Sequence, residues 1–268
     1  MPAIQPARLK IQAAELAQNA PDAEEFCQAF HVYLDYYADR TYRPGIVGEP
    51  PPLMRAYHVP LQVVRAVVKE LAEYAVDKRD ESLALADMLW SEPSLEFRLL
   101  AASLIGQVSP NPPDSIFGRI DSWTGPGTEV RLINALIISG LERLRLEQSD
   151  RYIEHIETWL KSKHKFENQL GLKAIPPLLD TPGFEDFPLI FRVLDQVIRS
   201  AQPSLRPEVL AVIESLALHS PEETMYFLHQ TALSGTGNPN LTWYVRHSLK
   251  FFPSDSQKYL QESLRQGK

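Results

Sequence analysis

PLQVVRAVVKELAEYAVDKRDESLALADMLWSEPSLEFRLLAASLIG, residues 60–106, reads as three amphipathic helices in succession, over 60–77, 81–91 and 94–108. Apolar residues recur at helical spacing, and no segment alternates apolar with polar as a half-buried strand does. The first and third of these helices share a short signature, an apolar residue followed by arginine, at Val64-Arg65 and Phe97-Arg98. Those positions mark the second helix of two neighbouring pairs. Short links between amphipathic helices imply that the members of a pair run antiparallel.

The pattern extends along the chain. Further helices are expected over 7–19, 21–39, 113–123, 129–147, 150–161, 165–179, 185–200, 206–219, 221–233, 241–252 and 255–265, with 129–147 open to a break near Ser139-Gly140. Prolines mostly stand between these segments, where they begin or end helices. The signature recurs at Val130-Arg131, Leu205-Arg206 and Val245-Arg246, and Asn168-Gln169 fills the one slot between them. Taken at 65, 98, 131, 169, 206 and 246, the spacings run from 33 to 40 residues. Helix-pair repeats with periods of about 34 to 47 residues are the mark of a solenoid. The expected fold is all-α, an α-solenoid of about six HEAT-like helix pairs forming one domain over 1–268, with terminal repeats as caps. Two stretches interrupt it. RTYRPGIVGEPPPLMRAYH (40–58) is expected as a long ordered loop or short lid closing a divergent N-terminal cap over 1–58, and SGTGNPN (234–240) as a flexible connector.

Composition narrows the function. The chain is 44% hydrophobic and 23% charged, an ordinary soluble globular balance. A single cysteine, Cys27, rules out an intrachain disulfide and fits a reducing, cytoplasmic setting. The start lacks a charged-then-apolar leader, and the apolar runs are too short to span a bilayer, so no membrane partner is expected. A net charge of -7 argues against indiscriminate nucleic-acid binding but leaves room for a local basic groove. Phosphate-loop, dinucleotide and nucleophile-elbow motifs are absent. The seven histidines are scattered without metal-ligand spacing, so neither a metal nor a cofactor is expected. Cys27 stands in an acidic helix, which raises rather than lowers its thiol pKa.

What remains is aromatic and basic. In WLKSKHKFENQLGLK (159–173) four lysines and a histidine face a single acid, Glu167. Lys165, Gln169 and Lys173 share one helix face, Lys163 precedes them, and Phe166, Leu170 and Ala174 form an adjacent apolar face. Such a helix either presents charge to an anionic partner or simply solvates its lysines. Near the C-terminus Trp243, Arg246 and Lys250 share a face, opposite the apolar Leu241, Val245, Leu249 and Phe252. Trp123 stands before the turn GPGT (125–128), as a core plug or as a platform for a base or sugar. Arginines at the repeated slot, Arg65, Arg98 and Arg131, are expected to tie neighbouring repeats together.

These residues resemble a known family. YHVPLQVVRAVVKEL (57–71), ALADMLWSEPSLEFRLLAASLIG (84–106), Trp123 at the following turn, WLKSKHKFENQLGLKAI (159–175) and VRHSLKFFP (245–253) are similar in order and spacing to the AlkD-like DNA alkylation repair proteins. The resemblance implies a curved array of HEAT-like helix pairs that cradles double-stranded DNA on a basic face formed by the second helices. It also implies DNA glycosylase activity, excision of cationic alkylated purines with indoles on the deoxyribose. An aspartate then stabilises the developing cationic sugar, and an arginine holds the backbone. Carried over, Trp123 matches the first indole, and the aspartate falls at Gly127 or Thr128. Glu129 supplies a catalytic carboxylate only after a shift of one or two residues. The arginine falls at Gln169, and the aromatic three residues before it is Phe166. Lys163, Lys165, Gln169, Lys173, Trp243, Arg246 and Lys250 join Trp123 as expected DNA contacts. The competing reading is a non-catalytic solenoid that binds a protein or peptide on its concave face.

Overall fold

Prolines open several helices in this chain, and a side-chain cap starts two of them. The computed structural model describes residues 5–41, 54–200, 202–234 and 238–266. Contacts divide the chain into two compact units, Met1–Ser149 and Asp150–Lys268. The described residues form helices and no strands, the single parallel bridge between Arg55 and Ser94 aside. No helix among them is long and apolar enough to cross a membrane. Of the proline-rich segment, residues 42–53 lie outside the described residues, as do residues 235–237 of the connector.

The first unit contains α1 (Pro6–Ala17), α2 (Ala23–Tyr37), α3 (Leu61–Asp77), α4 (Arg79–Ser91), α5 (Leu95–Ile105), α6 (Asp114–Trp123), α7 (Val130–Ala135) and α8 (Glu142–Glu147). Pro6 opens α1, and the Asp22 carboxylate accepts from the Glu24 and Glu25 N–H groups to cap α2. Helices α1, α3, α5 and α7 pack in succession as one layer, while α2 lies against α4. Phe26, Phe30 and Leu34 of α2, Leu71 of α3, Leu89 of α4 and Phe97 of α5 are fully buried, with the Phe30 and Phe97 rings 4.7 Å apart. Each such burial contributes roughly 1.5–3 kcal/mol.

The helix expected over 129–147 is broken at the anticipated place. Its middle is a π turn, Leu136–Gly140, and α8 resumes after Leu141. The buried Arg145 guanidinium donates to the Ile137 and Ile138 carbonyls at 2.8 Å each, which caps the disturbed turn.

The second unit contains α9 (Ser149–Lys161), α10 (Lys165–Leu179), α11 (Phe187–Ser200), α12 (Arg206–His219), α13 (Pro221–Ser234), α14 (Pro239–Ser248) and α15 (Ser254–Gln266). Here α10, α12 and α14 pack in succession, as do α11, α13 and α15. Within each unit the helices therefore stack in two layers, as in an α-solenoid. The segment expected as one helix over 241–252 ends at Ser248, and a 3-10 turn, Leu249–Phe251, completes it. Its apolar face is packed as expected, with Leu241, Val245 and Phe252 buried.

The turn between α9 and α10 is held by one side chain. Asn168 Nδ2 donates to the carbonyls of Trp159, Leu160 and Ser162 at 3.0, 3.2 and 3.0 Å, satisfying the end of α9. Asn168→Asp keeps the shape but places acceptor against acceptor. We expect it to cost about 2–3 kcal/mol and more than Asn168→Ala, measured by urea denaturation.

Candidate functional site

The second helices of the first unit line a groove of about 520 Å³. Arg65 and Lys69 of α3 stand one helical turn apart on its wall, with Ser103 of α5, Gln107 just beyond it and Glu142 of α8. Both cations are exposed, and among the described residues neither makes an ion pair. Arg65, expected to tie repeats together, forms among the described residues no hydrogen bond or ion pair to a neighbouring repeat and instead lines the groove. Arg98 does pack internally. Its guanidinium lies 5.2 Å from the Trp90 ring centre and donates to the Glu92 carbonyl.

Trp123, at the end of α6, stacks face to face on Trp90 with centroids 4.6 Å apart and planes 7° apart. One face of this indole is packed, and the residue keeps partial exposure. The following turn is closed by Thr128, whose N–H donates to the Gly125 carbonyl and whose Oγ1 accepts from the Gly125 N–H. Gly127 sits at φ 97°, a conformation that favours glycine over any residue with a carboxylate. Glu129 follows in extended backbone at the start of α7, 8% exposed, its carboxylate 2.6 Å from Arg131 Nε. Both the carboxylate and Arg131 are engaged within their own turn.

In the second unit Lys163 and Lys165 are exposed and Lys173 is partly so; none of the three is ion-paired among the described residues. Gln169, between Lys165 and Lys173 on α10, donates from Nε2 to Glu208 Oε1 at 2.5 Å. Leu170 and Ala174 are buried as expected. Of the expected face Trp243 and Arg246 lie on α14, while Lys250 lies in the 3-10 turn that follows. Arg246 is exposed and unpaired, and Lys250 extends over Phe251 at 4.9 Å. Trp243 is no open platform, because the Arg206 guanidinium lies 4.3 Å from its centre and the His247 ring stacks on it at 3.7 Å.

Cations elsewhere are handled differently. Arg119 of α6 pairs with Asp87 at 2.6 Å, Lys161 of α9 with Glu157 at 2.5 Å and Arg199 of α11 with Asp195 at 2.8 Å. Among the described residues the exposed cations without an ion pair include Arg65 and Lys69 of α3, Lys165 of α10 and Arg246 of α14, and elsewhere Arg8, Lys10, Arg40, Arg55, Lys163, Arg192, Lys250 and Arg265. Burial, aided by Glu92, pushes the Cys27 thiol up to about 11, which fits the expectation of an inert cysteine. No group of three His, Cys, Asp or Glu among the described residues is arranged to hold a metal ion.

A family model described as DNA alkylation repair enzyme matches residues 16–250. The chain belongs to this family. A search of curated proteins found no match. The match begins at Leu16, near the end of α1, so it takes in α2, which the resemblance left aside. Where the resemblance expects an aspartate after Trp123 stand Gly127, at φ 97°, and Thr128, and where it expects an arginine stands Gln169. Sequence reasoning missed Lys69, Trp90 and Glu208. Trp123 lies 33 residues after Trp90, and Glu208 lies 39 after Gln169. One repeat period, applied to side-chain partners, is the signal that finds both.

Proposed function

We propose that this protein binds double-stranded DNA along its second helices, as one continuous HEAT-like domain, and that Glu129 performs no glycosidic hydrolysis. The unpaired cations Arg65, Lys69, Lys163, Lys165, Lys173 and Arg246 support the reading, since a cation already paired has less to offer a phosphate. The net charge of -7 argues against indiscriminate binding elsewhere on the surface. Trp123, stacked on Trp90 and partly exposed, offers a pre-set indole edge. Glu129 is a poor partner for a cationic sugar because Arg131 already neutralises it.

The test is binding to a fluorescent duplex across a salt series. We expect affinity to fall steeply with salt. Replacing Lys163, Lys165 and Arg246 by Ala should reduce the slope of log K against log salt by about 3, roughly one for each phosphate no longer neutralised. Wild-type protein that binds no duplex at low salt overturns the proposal and turns the face over to a protein partner. Excision of methylated bases that is abolished in Glu129→Gln overturns the second half.

A further inference from the structure

Three helices of the second unit converge on a polar cluster outside the cationic set. Glu208, in the first turn of α12, receives the Gln169 amide from α10. Arg206, two residues earlier, donates to Asn240 Oδ1 at 2.9 Å and covers Trp243 of α14. Glu208 Oε2, Arg206 Nε and the Tyr244 hydroxyl are buried there without hydrogen-bond partners. Burial pushes the Tyr244 phenol upward, Arg206 opposes that and Glu208 adds to it, so both charges bear on the ring that closes the cluster.

This arrangement fixes which way Gln169 faces. A carboxylate has no proton to donate, so the amide must turn its NH2 to Glu208 and its Oε1 away. Gln169 is only partly buried, and its Oε1 is not one of the buried unpaired atoms, which leaves it open to solvent. The slot that elsewhere along the repeats holds arginine therefore presents an acceptor. Phosphate oxygens are acceptors too and gain nothing from it. The groups of a nucleic acid that complement it are the exocyclic amino groups of cytosine, adenine and guanine. Lys165 and Lys173 lie one turn to either side on the same helix, where each can meet a phosphate while a base edge lies between them.

We infer that Gln169, oriented by Glu208, reads a nucleobase amino group, which makes it a specificity residue and Glu208 its positioning residue. The inference rests on the DNA-binding reading above, and its test separates the two. Three fluorescent duplexes differ only in one unpaired base, which is cytosine, thymine or 2-pyrimidinone, the last being cytosine without its amino group. Wild-type protein should bind the cytosine duplex about three- to tenfold more tightly than the others, the worth of one hydrogen bond. Gln169→Leu should level the three while keeping the salt slope. Glu208→Gln should reduce the preference, because an amide partner lets Gln169 turn over. Thermal melting of each variant, followed by circular dichroism, shows that the fold persists. Equal wild-type binding to all three, or a preference that survives Gln169→Leu, overturns the inference and leaves DNA binding standing. An unchanged preference in Glu208→Gln removes the positioning role. Failure to bind any of the duplexes at low salt overturns the DNA reading itself.

Discussion

Gly106→Ala should lower the stability of the first unit by at least about 3 kcal/mol, read from urea denaturation, because it forces two backbones apart. A Cβ at Gly106 would lie 1.8 Å from the Ser139 carbonyl oxygen and 2.8 Å from its carbon. Neither atom belongs to a side chain that can swing away. The close approach arises at the π turn, whose carbonyls at Ile137 and Ile138 are already committed to Arg145. Gly140 answers from the other side, where a Cβ would come within 3.1 Å of the Ala102 carbonyl oxygen. Two facing glycines thus let the end of α5 and the π turn touch, which sets the spacing of the layer that carries Arg65 and Lys69. Gly118→Ala is the matched control. Nothing lies within 4 Å of that position on the exposed side of α6, and the substitution should stabilise by about 0.5–1 kcal/mol through helix propensity.

The helices were legible because their signals are local. Lys165–Leu179 and Arg206–His219 match the expected boundaries to the residue, since a basic turn or a proline fixes one end and a polar turn the other. The break near Ser139-Gly140 was legible as a weak spot, but its π geometry depends on Gly106, more than thirty residues away. The site was less legible for the same reason. Lysine spacing on α10 placed Lys165, Gln169 and Lys173 on one face, yet whether a side chain on that face is free depends on a residue one repeat along. Gln169 meets Glu208, and Trp243 meets Arg206, across separations close to the repeat period. Charge could be read from the sequence, but its availability required the pairing.

Glu96→Ala should cost about 3–5 kcal/mol, because it removes a buried acceptor on which three donors depend. Glu96 is 4% exposed. Its Oε1 accepts the N–H groups of Tyr57 and His58 at 2.9 Å each, and its Oε2 accepts from Ser94 Oγ at 3.2 Å. The carboxylate also sits in the first turn of α5, where the helix dipole favours negative charge. Around it the Leu95 N–H donates to the Arg55 carbonyl at 2.9 Å, and His31 Nδ1 meets the Tyr57 hydroxyl at 2.6 Å. The clamp holds His58 at φ 55°, a left-handed conformation that a non-glycine residue adopts only when its surroundings enforce it. Without it the Tyr57 N–H and the Ser94 hydroxyl lose a buried acceptor and the entry to α3 loosens. Because α3 carries Arg65 and Lys69, the substitution also tests whether stability and binding separate. Below its lowered melting transition, Glu96→Ala should keep the wild-type salt slope, since every one of the proposed DNA-contacting cations remains. A shallower slope in fully folded Glu96→Ala would mean that the clamp sets the position of the α3 cations as well as the stability of the unit that bears them.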